Sequence, residues 1–299
     1  MGAPTRARHR LAYLLTAVAV VLVAILVVGV AVFGWWRPAP SAPPPTPLPS
    51  LDITFAANST EEVESLLTTV RPYIEPGDSF DLVSGSPENS TLSVPNVNRW
   101  AAELRDAFPG HPIYAHTAGL THYAEMAAGV GTNVSGILYD YEPGFEPEFT
   151  FNFTATLSNF RNVSEIAQAY GVASVGYPVG RPILEPNLAV YGWNYATLAG
   201  TVDALTVQTQ TYCKAGASTY AEALSTVLGQ YATEGLPSLP EFQITIGNAT
   251  TTLPNGVTAE PAYDCAAELA PLGLHSLYLW WNEGALPDLL TFLADIGRG

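Results

Sequence analysis

Short apolar runs of strand-like character begin near residues 51, 79, 111, 134, 172, 204, 241 and 275, and most of the gaps between them carry apolar residues at i, i+3, i+4 and i+7. In the first gap these are Val63, Leu66, Leu67 and Val70; in the last they are Leu286, Leu289, Leu290 and Leu293. Ser59 and Glu62 have the spacing of a capping box ahead of the first helix. Pro109-Gly110, Gly171, Gly235 and Gly273 fall where a helix should stop and the next strand begin. The fifth unit is the thinnest, with only a short helical stretch from Asn194 to Ala199. Eight alternating units in roughly 250 residues predict a (β/α)8 TIM barrel over residues 51–299. An open doubly wound sheet is the rival, but no Gly-x-Gly-x-x-Gly follows the first strand and no Gly-x-x-x-x-Gly-Lys phosphate loop occurs.

The pattern ahead of the barrel is different. Leu11 to Phe33 is a run of 23 uncharged residues, enough for a helix to cross a bilayer. Its length exceeds the ~7–15 apolar residues of a cleaved signal core, and no convincing Ala-x-Ala site follows. Arg6, Arg8 and Arg10 precede it with no basic cluster to match them beyond, which places the N-terminus in the cytoplasm, with Trp35 and Trp36 at the far interface. Arg37 to Ser50 holds seven prolines and no acid, the composition of a stiff spacer. The expected division is a basic cytoplasmic tail (1–10), one transmembrane signal anchor (11–36), a Pro-rich linker (37–50) and an extracellular barrel.

Charge narrows the partners. From residue 51 onward seven cations face 27 acids, so the body repels phosphate backbones and nucleic acid is excluded as a partner. The lipid bilayer is the expected partner of the N-terminal helix. Asn-x-Ser/Thr triplets at Asn58, Asn89, Asn133, Asn152, Asn162 and Asn248 fit glycosylation on an exterior domain. Four of them, Asn58, Asn89, Asn152 and Asn248, follow strands one, two, four and seven, the side on which a barrel carries its site. Cys213 and Cys265 are the only cysteines, too few for a disulfide scaffold or a Cys-rich metal site; in an oxidising compartment they can pair.

A barrel places function at the C-terminal ends of its strands. The fourth run, Gly136 to Pro143, ends in two acids. Side chains alternate along a strand, so Asp140 and Glu142 share the lumen face with Leu138, while Ile137, Tyr139 and Tyr141 point toward the helices. The two acids are ~6.6 Å apart in rise, close enough for an ionised Asp140 to keep Glu142 protonated as a general acid. A sixth strand read as Leu205 to Tyr212 puts Thr206, Gln208, Gln210 and Tyr212 on one polar face, with Gln208 either contacting a ligand or serving an internal network. On the eighth, Trp280 and Asn282 face the lumen, and Trp280 offers a flat floor for a sugar ring, while Trp281 packs against helices. His116 and Tyr177, at the ends of strands three and five, are further mouth candidates. No second histidine stands at metal-ligand spacing with His116, no Gly-x-Ser-x-Gly elbow occurs, and nothing calls for a metal or a cofactor.

Ser135-Gly136-Ile137-Leu138-Tyr139-Asp140-Tyr141-Glu142 resembles the Asp-Gly-x-Asp-x-Asp-x-Glu signature of family 18 glycoside hydrolases, the chitinase-like barrels. The last two acids match; Ser135 and Leu138 replace the first two. Gln210-Thr211-Tyr212-Cys213 looks like the family's sixth-strand Met-x-Tyr-Asp with the tyrosine kept, and Trp280 is similar to its eighth-strand tryptophan. The resemblance implies that Glu142 protonates the glycosidic oxygen, and that Asp140 orients the substrate's N-acetyl group as it attacks the anomeric carbon, with Tyr212 assisting. It also implies that Leu138 removes the inner carboxylate with which the middle acid normally shares a proton. Family 25 muramidases, which carry an Asp-x-Glu on a barrel strand, are an alternative in the same reaction class. The expected activity is retaining hydrolysis of an N-acetylated, chitin-like or peptidoglycan-like glycan. The missing acids motivate the alternative, a non-catalytic barrel that binds carbohydrate or a cell-surface protein.

Overall fold

Eight strands pair in parallel and close on themselves in chain order: β1 (Asp52–Ala57), β2 (Ser79–Val83), β3 (Ile113–Ala118), β4 (Gly136–Tyr141), β5 (Ala173–Pro178), β6 (Ala204–Val207), β7 (Glu241–Thr245) and β8 (Ser276–Trp280), which returns to β1. The computed structural model describes residues 50–86, 91–185, 192–247, 253 and 255–299. The predicted tail and membrane span, and the linker except Ser50, lie outside the described residues; among those described, no helix is long and apolar enough to cross a membrane.

Every strand starts within two residues of its predicted position. The reason lies in the architecture: a parallel barrel buries both faces of its strands, so each reads as a compact apolar run. Outward-facing Phe55, Phe80, Ile113, Ile137, Tyr139, Phe242, Ile244, Leu277 and Leu279 form one continuous core with the helices. Inward-facing Ala56, Val83, Leu138, Val175, Tyr177 and Tyr278 form a second, smaller cluster in the lumen.

The described helices are α1 (Thr60–Leu67), α2 (Val94–Ala107), α3 (Leu120–Gly129), α4 (Phe153–Tyr170), α5 (Tyr195–Ala199), α6 (Gln210–Ala215), α7 (Ala217–Glu234), α8 (Ala259–Ala267) and α9 (Leu286–Asp295). The capping box forms at α1, where Ser59 Oγ accepts from the Glu62 amide at 3.1 Å and Glu62 Oε2 accepts from the Asn58 amide at 2.6 Å. The thin fifth unit is the short helix α5, capped by Asn194, whose Oδ1 accepts from Thr197 N at 2.9 Å. Gly176 lets α4 lie against β5: a Cβ there would stand 2.4 Å from the Phe160 ring.

The sixth unit corrects the sequence pattern. β6 stops at Val207, and the segment expected to continue it as strand, Gln210 to Tyr212, is the start of α6. β6 pairs with β5 through Ala204 and Leu205 and with β7 through Thr206 and Val207, so the ladder has no partner to extend it further than the isolated bridge at Gln208. Six residues of mixed polarity satisfy a two-residue period and one helical turn alike, and here burial of Tyr212 and Cys213 favoured the helix. Gly216, at φ +120°, then joins α6 to α7. Cys213 of α6 and Cys265 of α8 form a disulfide with Cα atoms 5.8 Å apart, worth about 2–4 kcal/mol for a loop of this size.

At the N-terminal end of the barrel, Arg298 clasps Asp78 in two bonds, Nη1 to Oδ2 at 2.6 Å and Nη2 to Oδ1 at 2.9 Å, and also donates to Leu51 O. Asp78 Oδ1 accepts from Ile53 N at 2.7 Å, so this buried pair pins the segment after α9 to the start of β1.

Candidate active site

The strand ends open on a cavity of about 460 Å³. Because inward positions recur every second residue, closure delivers one or two side chains from each of several strands to this space. Of the residues singled out in sequence, Asp140, Glu142, Tyr177, Gln208, Gln210, Trp280 and Asn282 line it. Asp140 is fully enclosed at its base and Glu142 is half-buried. The phase of β8 is as predicted: Trp280 lines the cavity and Trp281 is buried in the outer core.

Two candidates stand elsewhere. Tyr212 sits on α6 rather than on a strand; its hydroxyl lies 3.0 Å from Gly180 O and 2.9 Å from Arg181 O, and it accepts from Leu184 N at 3.2 Å. It braces the segment after β5 and is not part of the cavity wall. His116 is also absent from the wall: it is completely buried behind Asp140.

Beneath the cavity a polar network crosses the lumen. His116 Nδ1 lies 2.7 Å from Asp81 Oδ2 and Nε2 lies 3.2 Å from Asp140 Oδ2. Asp81 Oδ2 also accepts from Tyr278 Oη at 2.5 Å. Gln208 Nε2 donates to Asp140 Oδ1 at 2.8 Å and to Tyr177 O at 3.1 Å, so Gln208 both lines the cavity and anchors the network. Tyr177 Oη donates to Gln243 Oε1 at 2.5 Å, and Gln243 Nε2 to Thr245 Oγ1 at 2.9 Å. The imidazole is boxed edge-on by Tyr177 at 5.2 Å and Trp280 at 5.8 Å between ring centres.

Burial by itself disfavours a charged His116. The charge of Asp81, the hydrogen bond it accepts from Nδ1 and the nearby carboxylate of Asp140 outweigh it and push the ring up to about 10, a direction that favours the imidazolium at neutral pH. Burial, then the charge of Asp81, push the Tyr278 phenol well above its ordinary value, which keeps it a donor. Gln210, whose side chain lines the cavity, has a buried Oε1 that accepts no hydrogen bond from the described residues.

A second cavity of about 200 Å³ opens at the other end of the lumen, between Thr54, Tyr114, Thr206, Glu241 and Ser276. Glu241 accepts from Thr54 Oγ1 at 2.8 Å and Thr206 Oγ1 at 3.0 Å, and burial, only partly offset by those bonds, pushes its carboxyl up to about 7.

Sequence reasoning missed Asp81, Gln243, Thr245 and Asn255, and placed Asn58 on this side only as a glycosylation site. For β7 the signal was present, since Glu241, Gln243 and Thr245 alternate with Phe242 and Ile244 as the polar face of β6 does. Asp81 is a single acid inside the apolar run Ser79–Val83, which marks a buried charge in need of a partner without saying which. Asn58 follows β1 directly and lines the cavity, so a glycan on it would stand at the rim. Asn152 caps α4 through Ala155 N at 3.2 Å, while Asn89 and Asn248 lie outside the described residues. Among the described residues no cluster of three or more His, Cys, Asp or Glu could hold a metal ion.

Fold and site together define a parallel (β/α)8 barrel with acids, amides and an indole at its mouth. Solved structures of a chitinase domain and of glycoside hydrolases share that fold at low identity. The C-terminal domain of a putative chitinase from Desulfitobacterium hafniense superposes with a TM-score of 0.56 at 11% identity, covering 83% of this chain and all of that one. The PgaB (BpsB) glycoside hydrolase domain of Bordetella bronchiseptica gives 0.57 at 9% identity, over 80% of this chain and 96% of that one. The spore cortex-lytic enzyme SleL of Bacillus megaterium gives 0.56 at 10%, over 86% and 78%. No protein-family model and no curated protein matches the chain.

Proposed function

We propose that this protein is a membrane-anchored glycoside hydrolase that cleaves an N-acetylated, chitin-like or peptidoglycan-like glycan outside the cell, with retention of configuration. The observation that carries this reading is the meeting of Asp140 and Glu142 in one cavity with an indole face and a set of amides. Trp280 would support a sugar ring, and Gln210, Gln243 and Asn282 would take its hydroxyl and amide groups. In this reading Glu142 gives its proton to the leaving glycosidic oxygen while the carbonyl oxygen of the substrate's N-acetyl group attacks the anomeric carbon. Asp140, held by Gln208, orients that group, and the Glu142 carboxylate then takes a proton from the water that opens the intermediate. The anchor is the uncharged run Leu11 to Phe33, and the barrel's surplus of acids suits a neutral substrate.

The test is hydrolysis of chito-oligosaccharides and peptidoglycan by the full-length chain, with the anomeric configuration of the first product followed by NMR. Glu142→Gln is expected to lower kcat by about 10²–10⁴. Hydrolysis untouched by that change excludes Glu142 as the acid. Membrane fractions washed at high salt should retain the chain, and protease added to intact cells should digest the barrel. A second reading, a barrel that binds glycan without cleaving it, is favoured by Leu138, an apolar lumen residue where the resembled signature has an acid. An oligosaccharide that binds and stays intact would select it.

A further inference from the structure

Leu138 stands two residues before Asp140 on the lumen face and supplies packing without charge. Its register partner on the neighbouring strand is His116, which in turn is registered with Val83 of β2. The imidazole therefore sits level with Leu138, one layer below Asp140, and reaches Asp140 Oδ2 with one nitrogen and Asp81 Oδ2 with the other, at 3.2 and 2.7 Å. We propose that Asp81 and His116 are a positioning pair for Asp140, doing from β2 and β3 what an inner carboxylate on β4 would otherwise do. The proposal rests on the glycosidase reading of the cavity.

Oδ1 of Asp140 accepts from the Gln208 amide, and Oδ2 lies at ion-pair distance from the imidazole, whose Nε2 makes no hydrogen bond to the described residues; one hydrogen bond and one charge contact thus bear on its orientation before a ligand arrives. A second acid at position 138 could orient Asp140 only by sharing a proton with it. A histidine backed by Asp81 instead places positive charge behind Asp140, and Tyr278 donates to the same Oδ2 of Asp81 that the imidazole contacts, while Oδ1 accepts no hydrogen bond from the described residues. The ring is enclosed by Asp81 of β2, Asp140 of β4, Tyr177 of β5, and Tyr278 and Trp280 of β8, with Glu142 beyond Asp140 at the cavity wall. The shift of His116 above its ordinary value agrees with this enclosure.

In the full-length chain, His116→Asn and Asp81→Asn are expected to lower kcat on chito-oligosaccharides by about 10²-fold, with KM changed far less, and to move the pH profile. Adding Leu138→Asp to His116→Asn should recover about tenfold of the loss, because it returns an acid beside Asp140. A histidine with only a packing role would not be rescued from another strand. An unchanged kcat and pH profile in folded His116→Asn, or no recovery with Leu138→Asp, overturns the proposal. A readout free of turnover is ¹⁵N NMR of the histidine-labelled chain at about pH 7, where both ring nitrogens of His116 should be protonated and Asp81→Asn should remove one proton. A neutral ring in the unmodified chain overturns the pairing whatever the substrate. A charged ring in a chain that cleaves no N-acetylated glycan sinks the glycosidase reading and leaves the pair standing.

Discussion

Asp140 at the mouth and Glu241 at the floor are acids in one lumen, and they are held in different ways. Asp140 has the His116 ring 3.2 Å from one oxygen and an amide hydrogen-bonded to the other. Among the described residues Glu241 has only the hydroxyls of Thr54 and Thr206, and its carboxyl is pushed up to about 7. Hydroxyls satisfy lone pairs but bring no net charge, so desolvation prevails at the floor. At the mouth a histidine stands between two carboxylates, Asp81 and Asp140, and brings a charge that the hydroxyls of the floor do not. A buried acid is useful at neutral pH only if its charge state is set by neighbours, and this barrel provides such neighbours at one end.

The largest effect should come from making the mouth resemble the floor. His116→Leu leaves Asp81 and Asp140 buried without their cation and should cost about 3–5 kcal/mol in urea unfolding. A loss of under about 1 kcal/mol would mean that no buried ion pair is present. The same contrast holds between the two faces of β8. Trp281→Ala, in the outer core, should cost about 3–5 kcal/mol. Trp280→Ala should cost markedly less in stability but weaken chito-oligosaccharide binding by about tenfold. Equal stability losses would erase the distinction between floor of a site and core.

Protons give the next measure. Glu241, Glu62 and His116 all bind their proton more tightly folded than at their ordinary values, the two glutamates up from 4.5 to about 7 and His116 up from 6.5 to about 10. Stability from such groups is complete below the unfolded value and is lost as pH rises through the folded one. The chain should therefore lose stability between about pH 4.5 and 7 through the glutamates, and again toward 10 through His116. Glu241→Gln should flatten the first part of that slope by about 1–2 kcal/mol, read from Tm against pH. A slope unchanged by it would show that the floor acid is solvated. Glu62 lies in the α1 capping box near Glu283, where the Asn58 amide offsets some of the burial. Glu62→Gln should flatten the same slope by a similar amount, about 1–2 kcal/mol, since its shift is of the same size.

Much of the mouth was legible because alternation persists to the ends of β4 and β8, so Asp140, Glu142, Trp280 and Asn282 could be assigned to the lumen from their spacing. Tyr212 was misplaced because the segment after β6 satisfies two periods, and only the missing ladder partner decides between them. His116 showed its strand and its face but not its depth: its spacing places it at a strand end, while the barrel's register seats it one layer below the cavity, behind Asp140.

Local pattern by itself determined where the eight strands begin, the inward or outward sense of most residues on them, and the acidic balance of the chain. These depend on repeat period and composition, which a chain carries without being folded. Tertiary structure alone decided that Asp81, His116 and Asp140 meet, that Cys213 reaches Cys265, and that Glu241 is left among hydroxyls. Such meetings depend on strand register and barrel closure, which sum contributions from the whole sheet and leave no trace in the spacing of any one segment.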